Sequence, residues 1–314
     1  MKSLKIVALA GGVGGAKLVC GLAKVIDPNN LCVIVNTGDD FEHYGLYICP
    51  DLDTVCYNLA ELANPKTGWG RSKDTFNTFQ QAIKLGGPDW FKLGDLDLGT
   101  HLERTRRIRA GEALSTITAD FCQSWGITSK IMPMTDQIVS TYLMTDQNKW
   151  LSFQEYFVKQ QCEPAICRIE IRGSETAKPT KGIEEFIRDA DFIIICPSNP
   201  WLSIDPIFSI KPIKEWLSAK VVIAVSPIIR GGAVKGPVAK IFHELGFIPS
   251  ATSVAEHYGG LIKAFVIDAQ DEREKEAIQR CDIIPLVTNI LMTDDLSKAR
   301  LASEIVNFYL AYFA

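Results

Sequence analysis

The sequence predicts a doubly wound α/β fold, with a mostly parallel, Rossmann-like sheet and a helical insertion. Two observations carry this. Short continuous apolar runs recur along the chain, as strands buried on both faces require. Residues 4–35 read strand, Gly-rich turn, helix, strand, and such a βαβ unit implies parallel pairing with a right-handed crossover. The 314 residues can bury a sizeable core. We read 1–314 as a single α/β domain, with a mostly helical insertion over about 55–130 covering the site.

Residues 4–10 form the first strand by their continuous apolar character, 11–15 the turn and 16–25 a helix stopped by Pro28-Asn29-Asn30. Residues 31–35 form the second strand. From 54 to 109 the pattern is mostly helical, interrupted by Trp69, Trp90, Phe91 and several glycines. Residues 131–171 alternate apolar and polar and hold shorter strands. Parallel-sheet character then returns, with a helix at 183–189 and strands at 191–196, 221–225 and 264–268. A helix at 238–245 lies between the last two of these strands. A final helix runs from about 295 to 312, with Asp294 or Asp295 as its cap. Met-Thr-Asp occurs at Met134, Met144 and Met292 without a fixed period and is not a structural repeat.

The bulk numbers exclude several classes. A net charge of −4 gives no support for nucleic-acid or anionic-membrane binding. The nine cysteines include no C-x-x-C, and Cys32 and Cys196 sit in apolar runs, which points to reduced, packed thiols in a cytoplasm. Lys2 and Lys5 precede an apolar run as in a secretion signal, but the run is short and flows into the Gly-rich turn, so it is read as a strand. No segment approaches the ~18 uninterrupted apolar residues of a membrane span.

The chemistry concentrates where strands end. The second strand runs into Asn36-Thr37-Gly38-Asp39-Asp40, and Cys49-Pro50-Asp51-Leu52-Asp53-Thr54 follows. Four carboxylates, Asp39, Asp40, Asp51 and Asp53, therefore crowd the C-terminal end of a parallel strand, where open α/β sheets bind ligands. Carboxylate oxygens suit Mg²⁺, which one or two carboxylates plus substrate phosphates usually hold. We expect Asp39, Asp40 and Asp51 as its ligands, and the four acids together as the catalytic group. A turn plus a helix cap would account for the first pair alone.

The turn Gly11-Gly12-Val13-Gly14-Gly15-Ala16-Lys17-Leu18 has the right setting for phosphate binding at a helix N-terminus, with Gly12, Gly14, Gly15 and Lys17 as its candidates. It fits neither standard pattern. Leu18 stands where a P-loop carries a hydroxyl, and Lys17 stands where a dinucleotide fingerprint carries its third glycine. A tight turn without a ligand would look the same. Two further loops, Ser198-Asn199-Pro200 with Ser203, and Ser226-Pro227 through Gly231 to Lys235, also follow buried strands and should open on the same sheet edge. Together these loops suggest an anionic ligand, a nucleotide. In the middle region, Asp95, Thr100, His101 and Arg104 cluster, with His101 and Arg104 on one helix face. On type alone the arginines there form a solvated face.

Taken together, these motifs resemble the 2-phospho-L-lactate transferases of coenzyme F420 biosynthesis. The matching residues are Gly11 to Lys17, Asn36 to Asp40, Cys49 to Thr54, Gly94-Asp95-Leu96-Asp97 through Thr100-His101-Leu102, and Met134-Thr135-Asp136. Further along they are Pro197 to Pro200 with Ser203-Ile204, Ser226-Pro227-Ile228-Ile229 and Met292-Thr293-Asp294. They run in order along nearly the whole chain. Arg230 departs from the pattern, which carries a small residue before Gly231. The resemblance implies attack by the terminal ribityl hydroxyl of a deazaflavin, Fo, on the phosphorus bearing a three-carbon acid in a guanosine diphosphate ester, with GMP leaving. It also implies Mg²⁺ as cofactor, Fo and the guanylated donor as partners, and a cytoplasmic homodimer. Such a reaction needs positioning and charge neutralisation more than covalent catalysis. We expect Trp90, Asp95, Thr100, His101 and Arg104 to line the Fo slot.

Two alternatives stand beside this reading. A related family of nucleotide-sugar-binding regulatory proteins shares the Gly-rich turn and the Asp-Asp pair, but the middle region resembles the transferases. A nicotinamide-dependent dehydrogenase would place Asp39 on a ribose, against which count the missing third glycine and the extra carboxylates.

Overall fold

The computed structural model describes residues 4–233 and 238–314. Seven strands form the central sheet: β1 (Ile6–Ala10), β2 (Leu31–Val35), β3 (Lys130–Pro133), β4 (Phe192–Ile195), β5 (Val222–Val225), β6 (Ala264–Asp268) and β7 (Ile284–Thr288). Their order across the sheet is β7-β6-β5-β4-β1-β2-β3, and every adjacent pair is parallel. The chain starts at β1, steps outward through β2 to β3, then returns to β4 on the other side of β1 and steps outward again. The strand order therefore reverses between β1 and β4, the place where open sheets hold ligands.

The apolar runs explain why these strands are central. Successive side chains on a strand point to opposite faces, and both faces are covered. Ile6, Ala8, Ala10, Val33 and Ile194 pack under three helices, α1 (Gly12–Val25), α2 (Pro50–Leu59) and α4 (Asp295–Tyr312). Val7, Leu9, Ile34, Ile193 and Ile195 pack on the other side, under helices Ile183–Asp189, Val238–Glu244 and Ala251–His257. A three-stranded antiparallel sheet, Ser140–Thr145, Trp150–Ser152 and Ile166–Arg172, covers part of that second face.

Between β2 and β3 lie a hairpin (Phe41–His43 with Leu46–Ile48), α2, helix Asn77–Lys84, α3 (Asp95–Arg109) and helix Leu114–Ser124. The expected helical character of this stretch is present, broken by irregular chain before residue 77. Of the alternating stretch 131–171, the first part is β3 and the rest is the antiparallel sheet with a helical turn at Glu155–Lys159. Strand β7 had no counterpart among the expected strands. Asp294 caps α4 as expected, and Ser297 closes the reciprocal capping box. All nine cysteines are free thiols. No helix among the described residues is long and apolar enough to cross a membrane.

Helices α1 and α4 cross closely at Gly21, where a Cβ would lie 2.2 Å from the Lys298 carbonyl oxygen. That neighbour is backbone and yields little. We expect Gly21→Val to cost about 1–3 kcal/mol through overpacking, read as a lower thermal midpoint. An unchanged midpoint would contradict this packing.

Candidate active site

The β1/β4 switch point is tied together by Asp51. Pro50 starts α2, a position proline favours. That places Asp51 and Asp53 in the first turn, where the helix dipole favours negative charge. Asp51 Oδ1 accepts a hydrogen bond from the Gly12 N–H at 2.8 Å, and Oδ2 accepts one from Asn36 Nδ2 at 2.9 Å. Asn36 Nδ2 also donates to the Leu202 carbonyl at 3.2 Å, while its Oδ1 accepts from the Gly38 N–H at 2.8 Å. Gly12 has φ +62°, a left-handed conformation that glycine takes without strain. Beside it, the Ser198 hydroxyl accepts from the Gly11 N–H at 3.1 Å and donates to the Gly11 carbonyl at 2.8 Å. One carboxylate and one hydroxyl thus join the ends of β1, β2 and β4 to the start of α2.

Next to this knot lie two acids with few hydrogen-bond partners. Asp39 and Asp40 are buried. Asp39 Oδ1 and both Asp40 oxygens lack an N–H or O–H donor among the described residues. Burial, then the Asp51 charge, pushes the Asp39 carboxyl well above the usual carboxylate range. Burial also pushes Asp40 up, against the opposing influence of the Cys49 thiol and Arg104. Asp51 is raised to about 6 by burial, moderated by its bonds from Asn36 and Gly12. Crowded, desolvated carboxylates of this kind call for protons or a cation. Among the described residues no three His, Cys, Asp or Glu side chains form a ready-made metal cage. The orphaned oxygens of Asp39 and Asp40 nevertheless fit a Mg²⁺ that takes its remaining ligands from phosphate and water.

Asp53 is placed differently from the other acids. Both its oxygens are engaged by Arg104, Oδ2 by Nη1 at 3.0 Å and Oδ1 by Nη2 in a short contact. Arg104 is also buried and reaches the Tyr47 carbonyl at 3.4 Å and His101 Nδ1 at 3.3 Å. His101 is 1% exposed, with Nε2 3.5 Å from Asp97 Oδ1. Tyr57 donates to Asp97 Oδ1 at 2.6 Å and pairs with Thr100 Oγ1 at 2.8 Å. The expected solvated arginine face thus holds one arginine that is turned inward, and His101, Thr100 and Arg104 form a buried network that braces α2 against α3. Asp95 lies outside it. It caps helix Asn77–Lys84, accepting from the Thr75 hydroxyl and from the Asn77 and Thr78 N–H groups. The Thr75 hydroxyl and those amides hold its carboxyl well below the usual range.

Trp90 joins an aromatic cluster with Phe41, His43 and Phe91, at centroid distances of 5.9, 4.9 and 5.7 Å. Phe41 directly follows Asp40, so this cluster begins where the carboxylate loop ends. Trp69 stands apart and is 53% exposed.

The remaining candidates divide. Gly14 and Gly15 admit the loop after β4: a Cβ on Gly14 would lie 2.3 Å from the Pro197 carbonyl oxygen, and one on Gly15 2.7 Å from Ser198 Oγ. Lys17 donates to the Met292 carbonyl at 2.7 Å. Asn199 Oδ1 caps the turn that Pro200 opens, and its buried Nδ2 has no partner among the described residues. Ser203 packs on Gly11, where a Cβ would lie 2.5 Å from the Ser203 Cβ. Ser226 closes a local turn with Ile228 ahead of Pro227, and Gly231, at φ +70°, turns the hairpin Ile228–Ile229 with Gly232–Ala233. The departing residue, Arg230, donates its backbone N–H to both oxygens of Asp271. Lys235 lies outside the described residues. Thr37 and Cys49, buried at the carboxylate loop, lie within the quoted motifs but were not expected as site residues, and buried Thr141 lies outside every motif. The clefts that stand out by shape, of about 330 Å³ lined by Cys122 and Lys130 and about 280 Å³ lined by Lys5 and Phe186, lie away from these loops.

Residues 6–297 match the family model described as 2-phospho-L-lactate transferase CofD. A phosphoenolpyruvate transferase of Streptomyces coelicolor is 38% identical over 309 residues, covering 96% of this chain and 97% of that protein. A 2-phospho-L-lactate transferase of Methanosarcina acetivorans is 36% identical over 304 residues, covering 97% and 99%. A solved structure of a UPF0052 family protein from Bacillus halodurans shares the fold, with a TM-score of 0.63 at 14% identity over 98% of this chain and 99% of that one.

The Asp53–Arg104 pair generates a test of the buried network. Arg104→Met strands a buried carboxylate, so we expect a loss of about 3–5 kcal/mol in denaturant unfolding. The double variant Arg104→Met, Asp53→Leu should recover much of it. Equal stability of wild type and the single variant would show the pair to be solvated.

Proposed function

The chain belongs to the 2-phospho-L-lactate transferase CofD family, and from that premise we propose how it works. Membership makes it a transferase of coenzyme F420 biosynthesis. Our reading is that it takes a phosphorylated three-carbon acid from a guanosine diphosphate ester and joins it to the ribityl hydroxyl of Fo. The hydroxyl oxygen bonds to the phosphorus bearing the acid, the bond from that phosphorus to the GMP oxygen breaks, and the hydroxyl proton passes to a carboxylate.

The observation that supports this most is the pair of buried, unsatisfied acids, Asp39 and Asp40, at the β1/β4 switch point. Asp39 and Asp40, with Asp51 behind them, would hold Mg²⁺, which when bound neutralises diphosphate charge. The N-terminus of α1 presents a favourable dipole to the same anion. The loop at Ser198, Asn199 and Pro200 lies beside it and suits the nucleotide. A carboxylate with an unmet oxygen and a proton affinity raised by burial, as Asp39 and Asp40 have, is suited to accept the hydroxyl proton. The cluster of Trp90, Phe91 and Phe41 supplies aromatic, apolar groups of the kind a deazaflavin ring packs against. The free thiols suit a reducing cytoplasm, and we propose a homodimer there, checked by light scattering.

Relatives named for both phosphoenolpyruvate and 2-phospho-L-lactate match at similar identity. The deciding experiment therefore incubates the protein with Fo, Mg²⁺ and each guanylated donor, derived from phospholactate, phosphoenolpyruvate or phosphoglycerate, and identifies the product by mass. A phosphodiester with equimolar GMP is expected from one of them. No product from any, together with binding of NAD or a UDP-sugar but not GDP, would overturn the reading.

Two further outcomes follow from the carboxylates. Asp39→Asn or Asp40→Asn should cut turnover at least ~100-fold, since each removes charge stabilisation of the transition state. Full activity in EDTA would contradict this. The second concerns pH. The folded-state value of Asp51, about 6, lies above the unfolded value of about 3.9. Its contribution to stability is therefore present below pH 4 and lost as pH rises through 6. Cation binding favours the ionised form, so the gain in thermal midpoint from Mg²⁺ over EDTA should widen between pH 4.5 and 7. A gap independent of pH would exclude these carboxylates as the cation site.

A further inference from the structure

The small antiparallel sheet carries a residue that the account so far leaves unused. Thr141 lies near the start of strand Ser140–Thr145, paired opposite Ile171. Its backbone N–H donates to the Gly38 carbonyl at 2.7 Å, which fastens this strand to the carboxylate loop at the end of β2. Its side chain is 1% exposed, and its hydroxyl has no hydrogen-bond partner among the described residues. The position of that hydroxyl is defined by Gly38. A Cβ there would lie 2.8 Å from Thr141 Oγ1 and 3.0 Å from Asn36 Oδ1, so the hydroxyl and the Asn36 side chain that also bonds Asp51 both face Gly38.

Packing alone does not explain a threonine here. The next inward-facing residues of the strand are Leu143, in the apolar core, and Thr145, whose hydroxyl accepts from the Lys149 N–H at 3.3 Å. A buried hydroxyl without a partner is costly, and valine would fill the same space in a strand without that cost. Thr37 Oγ1, on the other side of Gly38 in sequence, is likewise buried and unpaired. The neighbouring side chains Asp39 and Asp40 are acceptors when ionised and draw a cation, and the ligand a cation brings is an oxyanion. An oxyanion needs donors, and hydroxyls supply them.

We propose that the Thr141 hydroxyl is a substrate-binding group that donates to a phosphate oxygen of the donor's diphosphate. This rests on the transferase reading and extends the site onto the antiparallel sheet.

The test measures inorganic pyrophosphate binding with Mg²⁺ by calorimetry, on wild type, Thr141→Val and Thr141→Ser, alongside thermal midpoints and turnover. We expect Thr141→Val to bind pyrophosphate at least about tenfold more weakly, as loss of a hydrogen bond to a charged group implies, while its ligand-free midpoint holds or rises. Thr141→Ser should restore binding. Three results would overturn the proposal: wild type that does not bind pyrophosphate, Thr141→Val that binds as wild type does, or Thr141→Ser that binds as weakly as Thr141→Val. The probe contains no guanine, acid or Fo. Wild type that binds it but forms no phosphodiester would therefore sink the transferase reading and leave this one standing. Normal turnover with unaffected binding in Thr141→Val would do the reverse.

Discussion

The Asp51 carboxylate accepts from the backbone of Gly12 at the end of β1 and from the side chain of Asn36 at the end of β2. Nothing else described joins these two strand ends to the start of α2 through a single group. Asn36 in turn reaches Leu202 in the loop after β4, and Ser198 of that loop grips both backbone polar groups of Gly11. A parallel sheet splays its loops outward where the strand order reverses, so a crevice there is free. A crevice with fixed walls is not, and the Asp51 bond pair supplies the fixing. Gly11 must lack a side chain for this to close, because a Cβ would lie 2.6 Å from Asp51 Oδ2.

Around that bridge the buried polar groups fall into two populations with different physical meaning. In one, Asp53, Arg104, His101, Asp97, Tyr57 and Thr100 lie within reach of one another. Such a network braces helices, and among its members His101 Nε2 is left without a hydrogen-bond partner among the described residues. In the other, Asp39, Asp40, Thr37, Thr141 and the amide nitrogen of Asn199 are buried with polar atoms unmet. Folding leaves few groups so placed, and their gathering at one sheet edge marks the site more sharply than the shape of the surface does.

The sheet was legible because its strands are continuous apolar runs; their order was not, because it depends on the chain returning to the far side of β1. Strand β7 was missed because Ile284-Pro285-Leu286-Val287-Thr288 lies at the sheet edge, is only partly buried and carries a proline, so its pattern is weak. The first helix begins at Gly12 rather than beyond Gly15 because the glycines serve close packing on Pro197 and Ser198 within the first helical turn. At the site, sequence could place acids on a loop after β2, since type and spacing show that. It could not show that Asp53 pairs with a buried cation of the chain, because that depends on Arg104, 51 positions further on. Thr141 was invisible for the same reason: its meaning comes from Gly38, across a sheet the local pattern does not connect to it.

We propose that the anionic ligand and its cation meet at the β1/β4 switch point, against Asp39 and Asp40. Crystals grown with GDP and Mn²⁺, measured at a wavelength where manganese scatters anomalously, test it directly. One anomalous peak is expected within coordinating distance of Asp39 or Asp40, with the diphosphate between it and the N-terminus of α1. A peak on Asp53 and Asp97, or nucleotide density in the cleft lined by Cys122 and Lys130, would contradict it.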